Sequence, residues 1–235
     1  VSAALYRSVL EPEQLFLINM PSRFNSATTK DLAAQLAQRL GCYYAVVPVQ
    51  DSLELTMHQF SSLRCPDSPL PLPDLTPSSF VQETIQARDR SSRILAAAAA
   101  AWGGGFTCNA NKSELTVGYS TLYGDQSGFL AVLGDLWKYQ VYDAARFLND
   151  CVYQREVIPQ ATIDLVPSAE LSAAQNVDEG KGDPLIYPYH DRLFHAFMER
   201  WQRATPEDVL EWYSDNTLAA QLGCTPELLQ THFSD

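Results

Sequence analysis

Between Asn109 and Asp125 the chain reads Asn-Ala-Asn-Lys-Ser-Glu-Leu-Thr-Val-Gly-Tyr-Ser-Thr-Leu-Tyr-Gly-Asp, residue types that suit a ligand site better than a packing helix. A polar, turn-prone approach through Asn109, Ala110 and Asn111 leads to the carboxylate of Glu114, and a Tyr-Gly-Asp loop closes the stretch at Asp125. A helix that only filled a core would carry an apolar stripe and stop. The approach follows Gly105 to Cys108, which reads as a strand. In open α/β sheets ligands collect at such strand-to-helix junctions, where strand ends and helix N-termini converge.

Other side chains could take part. Arg88 offers bidentate binding of phosphate or carboxylate; its alternative is a surface ion pair with Glu83 or Asp89. His190 and His195 stand five residues apart, whereas two ligands on one helix need a spacing of three or four, so we read them as packing or surface residues.

The elements that must position these groups are legible in outline. Gln14 to Met20 is a continuous apolar run of the kind found in buried parallel strands. Residues 27–40 carry Leu32, Leu36 and Leu40 at helical spacing, with Gly41 as the stop. Cys42 to Val49 is a second strand, and a short helix is expected from Ser52 to Phe60. Five prolines between Cys65 and Pro77 exclude regular structure there. A long helix then runs over about 78–101, through an alanine tract to Gly103, Gly104 and Gly105, and another over about 138–149. Residues 165–188 are loop-like, and three helical segments close the chain, two of them opening on Thr205-Pro206 and Thr225-Pro226. Trp201, Trp212 and Tyr213 in these last helices suit an interface or a cover for the sheet. Alternating strands and helices predict an α/β fold, a parallel sheet flanked by helices.

Composition limits the function. With 235 residues, 46% hydrophobic and 19% charged, the chain can build a substantial core. A net charge of −12 and the lack of a Lys/Arg cluster exclude a general nucleic-acid binder. No apolar run approaches the ~20 residues of a membrane span. Cys42, Cys65, Cys108, Cys151 and Cys224 are scattered and odd in number, without metal-site or disulfide spacing; a reduced, cytoplasmic chain is the plain reading.

Several ordered motifs resemble the synthetase domain of glutamine-dependent NAD synthetases: Asn19-Met20-Pro21-Ser22-Arg23-Phe24, Glu83-Thr84-Ile85-Gln86-Ala87-Arg88, Asn111-Lys112-Ser113-Glu114-Leu115, Thr121-Leu122-Tyr123-Gly124-Asp125, Lys138 after Leu136-Trp137, and Pro167-Ser168-Ala169-Glu170-Leu171. The resemblance implies an adenine-nucleotide α-hydrolase-like (Rossmann-like) fold with a C-terminal helical extension. It implies a ligase in which ATP adenylates the carboxylate of deamido-NAD, releasing pyrophosphate, and ammonia then displaces AMP to give NAD. The ammonia normally comes from glutamine on a separate amidase domain, and the enzymes are homodimers or larger homo-oligomers.

By that resemblance Glu114 is the carboxylate at magnesium and deamido-NAD, and a hard oxygen donor suits magnesium. Thr84, Arg88 and Asp125 fall at deamido-NAD positions, and Met20, Asn109, Lys138 and Ser168 at ATP positions. Each has a plain alternative: a turn-forming Asp125, a core Met20, an exposed Lys138, a capping Ser168. Departures accompany the match. Thr84 replaces an asparagine, Asn109 a threonine and Ala110 a glycine. The phosphate-gripping Ser-Gly-Gly-x-Asp-Ser loop, the amidase machinery and a C-terminal lysine are not found. We therefore expect residues 1–235 to be an NAD synthetase domain lacking its first strand, its phosphate-binding loop and the upstream amidase domain. Two other readings stand beside it: an inactive dimerisation or scaffold fragment, and another ATP pyrophosphatase such as a GMP synthetase-like or tRNA-modifying enzyme, the last disfavoured by the acidic charge.

Overall fold

A computed structural model describes residues 1–233. Strands β1 (Phe16–Asn19) and β2 (Tyr43–Val46) pair in parallel, with Phe16 opposite Tyr43 and Asn19 opposite Val46. Parallel neighbours require a crossover, here α2 (Ala27–Leu40). The Ser26 hydroxyl caps its start by accepting the Thr29 N–H, and Gly41, left-handed at φ 69°, ends it. Successive strand side chains alternate between faces. Leu17 joins a core built from Ala4 on α1 (Ser2–Arg7), Leu40, Ala145 on α7 (Lys138–Phe147), Leu148, Val157, Ile158 and Ile163 on α8 (Gln160–Asp164). Phe16 points the other way and meets Trp102 of α5 (Ala96–Trp102) edge-on, ring centroids 5.5 Å apart. The sheet is thus flanked by helices on both faces, as the alternating pattern requires.

The element predicted over 105–108 is not a strand. The Phe106 carbonyl accepts from Phe129 N–H and Cys108 N–H donates to the Leu130 carbonyl, both at 3.0 Å, so a loop instead of a neighbouring strand satisfies this backbone. Between this segment and β1 lies a cavity of about 700 Å³. Residues 14–20 line it without a break, facing Gly104 to Thr107. β1 bonds β2 along one edge only, its Leu15 and Asn19 carbonyls accepting from Tyr43 and Val47; its other edge faces the cavity.

The predicted 78–101 helix is α4 (Ser79–Arg88), a π-helical stretch Asp89–Leu95, and α5. π-Helical turns displace side chains from their regular positions and occur at functional sites. Here the stretch contains Arg90, whose Nε donates to the Met20 carbonyl at 2.9 Å and whose Nη2 reaches Asn25 Oδ1 at 3.3 Å. The expected Ser52–Phe60 helix is α3 (Gln50–Ser61), and α6 (Lys112–Val117) begins where the Asn-Lys-Ser-Glu motif places it. Residues 65–77 carry no regular structure.

Four helices close the described chain, not three: α9 (Tyr187–Met198), α10 (Pro206–Ser214), α11 (Leu218–Leu222) and α12 (Pro226–Phe233). Ala196, Leu218 and Leu222 form their own cluster with Trp212, so α10 to α12 cover α9 instead of the sheet. Trp201 is fully exposed. Among the described residues no helix is long and apolar enough to cross a membrane.

Asn149 locks the chain reversal that brings Val157 and Ile158 into the core. Its Oδ1 accepts from both of their N–H groups at 2.9 Å, and its Nδ2 donates to the Ile158 carbonyl at 2.8 Å. Removing a buried partner leaves those groups unsatisfied, at roughly 1–3 kcal/mol each. Asn149→Ala should lower the unfolding free energy by about 2–4 kcal/mol in urea titrations with little change in m.

Candidate active site

Asn111 opens α6 with a reciprocal cap. Its Oδ1 accepts the Glu114 N–H at 3.2 Å, and Glu114 Oε2 accepts the Asn111 N–H at 3.2 Å. The cap leaves Glu114 Oε1 to meet Lys138 Nζ at 3.3 Å. Lys138 is the first residue of α7 and is held from several sides. Its backbone N–H donates to Ser113 Oγ at 2.9 Å, and its ammonium lies 5.0 Å from the Tyr187 ring centroid. The next amide, Tyr139 N–H, donates to Asp191 Oδ2 at 3.1 Å, so the buried carboxylate from α9 occupies the positive end of α7. Burial raises the pKa of that carboxyl, outweighing its hydrogen bonds and Lys138.

Glu114 and Lys138 stand where two cavities meet. They line the cavity along β1 and a second one of about 480 Å³, within the range of small-molecule sites. The second cavity brings together Met20, Thr84, Asn109, Asp125 and Ser168 with that pair. Three of these polar groups already have internal partners. The Thr84 hydroxyl donates to its own helix at the Val81 carbonyl, 2.9 Å away. Asp125 Oδ1 accepts Thr121 N–H at 2.8 Å, shaping its turn, and Ser168 Oγ donates to the Gln175 carbonyl at 2.6 Å while accepting Glu170 N–H at 3.2 Å. Ser168 therefore braces a loop and caps no helix. Arg88 lies outside the cavity lining. It is exposed, donating to the Leu122 carbonyl at 3.2 Å and the Thr84 hydroxyl at 3.4 Å, and the alternative pair with Glu83 or Asp89 does not form.

A wall of this cavity was not foreseen. Asp183 Oδ1 accepts from the Tyr119 hydroxyl and Ala169 N–H, both at 3.0 Å, and its Oδ2 accepts from the Tyr187 hydroxyl at 2.9 Å. Gln175 Nε2 donates to the Tyr119 oxygen at 2.8 Å. Burial, reinforced by the facing carboxylate, raises both tyrosine pKa values far above the ordinary one, so both remain neutral donors at physiological pH. Tyr119 is remote from the others, so local sequence does not mark the group, although Asp183 and Tyr187 stand only four residues apart. His190 packs, as its spacing suggested: Nδ1 accepts Ile186 N–H at 3.0 Å and the ring stacks on Phe194.

The donor set limits what cation could bind. Among the described residues no group of three or more His, Cys, Asp or Glu side chains could form a metal cage. Glu114 supplies one carboxylate. That fits magnesium, which is commonly held by one or two carboxylates with water and substrate phosphates completing its shell. It does not fit a structural zinc or an all-protein calcium site.

The NAD synthase family model matches residues 1–221. A glutamine-dependent NAD(+) synthetase of Xylella fastidiosa (strain 9a5c) is 32% identical over 210 residues, covering 88% of this chain and 35% of the relative. One from Synechocystis sp. is 32% identical over 208 residues, covering 88% and 34%. The chain thus spans about a third of the length of these relatives. Among solved structures, an NMN synthetase from Francisella tularensis superposes with a TM-score of 0.64 at 21% identity, covering 95% of this chain and 84% of the other. The glutamine-dependent NAD+ synthetase of Acinetobacter baumannii, in complex with ADP, gives 0.59 at 23% identity, covering 94% and 36%. These likenesses show the fold, and the match across residues 1–221 shows the lineage: the chain belongs to the NAD synthase family.

Proposed function

We propose that this chain carries the synthetase chemistry of a glutamine-dependent NAD synthetase: ATP-dependent amidation of deamido-NAD to NAD. The observation that carries the reading is the Glu114–Lys138 pair at the junction of two cavities, in a chain of this family. A carboxylate oxygen of deamido-NAD attacks the α-phosphorus of ATP, the bond to pyrophosphate breaks, and an acyl-adenylate forms. Ammonia attacks the acyl carbon, AMP leaves, and a proton is lost to give the amide. Ammonia is supplied from glutamine by a separate amidase domain.

The residues act by holding and shielding. Lys138 offers a compact charge to the polyphosphate, and its burial against Tyr187 lowers the dielectric around that charge and strengthens its pull. Glu114 would hold magnesium, which spreads phosphate charge when bound. Met20 and Asn109 meet the adenine nucleotide, with Ser168 bracing the loop beside it. Thr84 and Asp125 face the dinucleotide, with Arg88 supporting them from outside. The wall formed by Tyr119 and Asp183, with Tyr187 behind Asp183, excludes water from the adenylate. We place the working enzyme in the cytoplasm as a homodimer or larger homo-oligomer, binding neither nucleic acid nor membrane.

Calorimetric titration of ATP with magnesium, then deamido-NAD, into this chain tests the reading. Both ligands should bind, and Glu114→Ala should abolish the deamido-NAD signal; a wild-type chain that takes up neither ligand would sink the proposal. Lys138→Met removes a charged hydrogen bond of about 1.5–3 kcal/mol, so the ATP dissociation constant should rise roughly ten- to hundredfold. Arg88→Met, changed on the exposed side of α4, should shift deamido-NAD affinity by less than about threefold in the same titration, as expected of a surface substitution.

A further inference from the structure

Glu170 lines neither cavity, yet it is only 3% exposed and its backbone is left-handed at φ 46°. A non-glycine residue keeps that conformation only where its surroundings over-determine it. Here the start of α2, remote in sequence, supplies them. Ser26 N–H donates to Glu170 Oε1 at 3.1 Å. Asn25 Nδ2 and the Thr29 hydroxyl donate to Oε2 at 3.2 and 2.6 Å. Asn25 cannot simply turn over, because its Oδ1 accepts Ser22 N–H at 2.8 Å and the Arg90 guanidinium at 3.3 Å. Arg90 in turn holds the Met20 carbonyl.

The neighbours of Glu170 face the ligand cavity. Ser168, Ala169 and Leu171 line it, and Gln86 Nε2 on α4 donates to the Leu171 carbonyl at 2.9 Å. We propose that Glu170 is a positioning residue, a buried latch that pins the 168–171 wall to the turn between β1 and α2. It thereby sets the spacing of Met20 and Ser168 for the adenine nucleotide; this role rests on the ATP-binding reading above. A carboxylate suits this place because three donors converge on it, and an amide in either orientation would set its N–H groups against a fixed donor, Ser26 N–H on one side or Asn25 Nδ2 on the other.

The test pairs Glu170→Gln with the polarity swap Asn25→Asp/Glu170→Gln. In the swap, the carboxylate introduced at position 25 could accept from the amide introduced at position 170 while still accepting from Ser22 and Arg90, and the Thr29 hydroxyl can turn to accept. Hydrogen exchange across 167–176 should accelerate about tenfold or more in the single variant, and the dissociation constant of ATP with magnesium should rise about tenfold. Deamido-NAD affinity, which depends on Thr84, Glu114 and Asp125 outside the 168–171 segment, should change less than about twofold, a split that general destabilisation would not produce. The swap should restore exchange and ATP binding together. Wild-type exchange and affinity in the single variant, or a swap that rescues neither, would overturn the latch. If the single variant does not fold, the swap alone decides: wild-type-like exchange supports the latch and an equally unfolded chain refutes it. Should the wild-type chain fail to bind ATP, the functional reading fails, while hydrogen exchange still judges the latch.

Discussion

The reciprocal cap between Asn111 and Glu114 ties the first turn of α6 to a charge, and the surroundings of both cavities follow from that placement. A capping glutamate ordinarily faces solvent. Here α7 begins directly against α6, with Lys138 N–H on Ser113 Oγ, and its ammonium meets the remaining carboxylate oxygen. Both side chains are about a fifth exposed, 20% for Glu114 and 18% for Lys138. A pair this far from water gives up hydration that mutual attraction only partly returns. The extra contacts explain how the arrangement holds: Asn111 shares the carboxylate, Tyr187 flanks the ammonium, and Asp191 faces the helix end that carries Lys138.

That anchor separates two different environments. On one side the cavity runs beside β1, lined largely by apolar residues and an unpaired strand edge. On the other, the Tyr119 hydroxyl, Asp183 and the 168–175 loop make a polar wall. The Glu114–Lys138 pair sits at the boundary between the two. The acidic surface of the whole chain is compatible with anionic ligands because attraction at this range is set by the nearest cations and dipoles, with distant charges screened by salt.

Long-range hydrogen bonds hold the polar wall. Gln86, buried on α4, holds Leu171; Glu170 holds the start of α2; Arg90 holds the end of β1. The π-helical stretch matters here, since one regular helix through 89–95 would carry Arg90 to a different angular position. Strain in the backbone of Glu170 and irregularity in the long helix occur where the wall meets the sheet, and both are offset by buried, charge-assisted hydrogen bonds.

Local physics made much of the chain readable from its residues. Leu32, Leu36 and Leu40 with Gly41 define α2, Asn111 and Glu114 announce the start of α6, and the prolines of 65–77 exclude regular structure, because periodicity, capping and dihedral limits act over a few neighbouring residues. The resemblance singled out Met20, Thr84, Arg88, Asn109, Glu114, Asp125, Lys138 and Ser168, and folding gathers all of them but Arg88 around one cavity. Tertiary structure alone decided that Phe106 and Cys108 pair with a loop instead of a strand, that Arg88 turns outward, and that α10 to α12 pack on α9. It also assembled Tyr119, Gln175 and Asp183, and seated Glu170 on α2. Pairing, exposure and remote hydrogen bonds depend on which distant segment arrives alongside, and no short window of sequence contains that information.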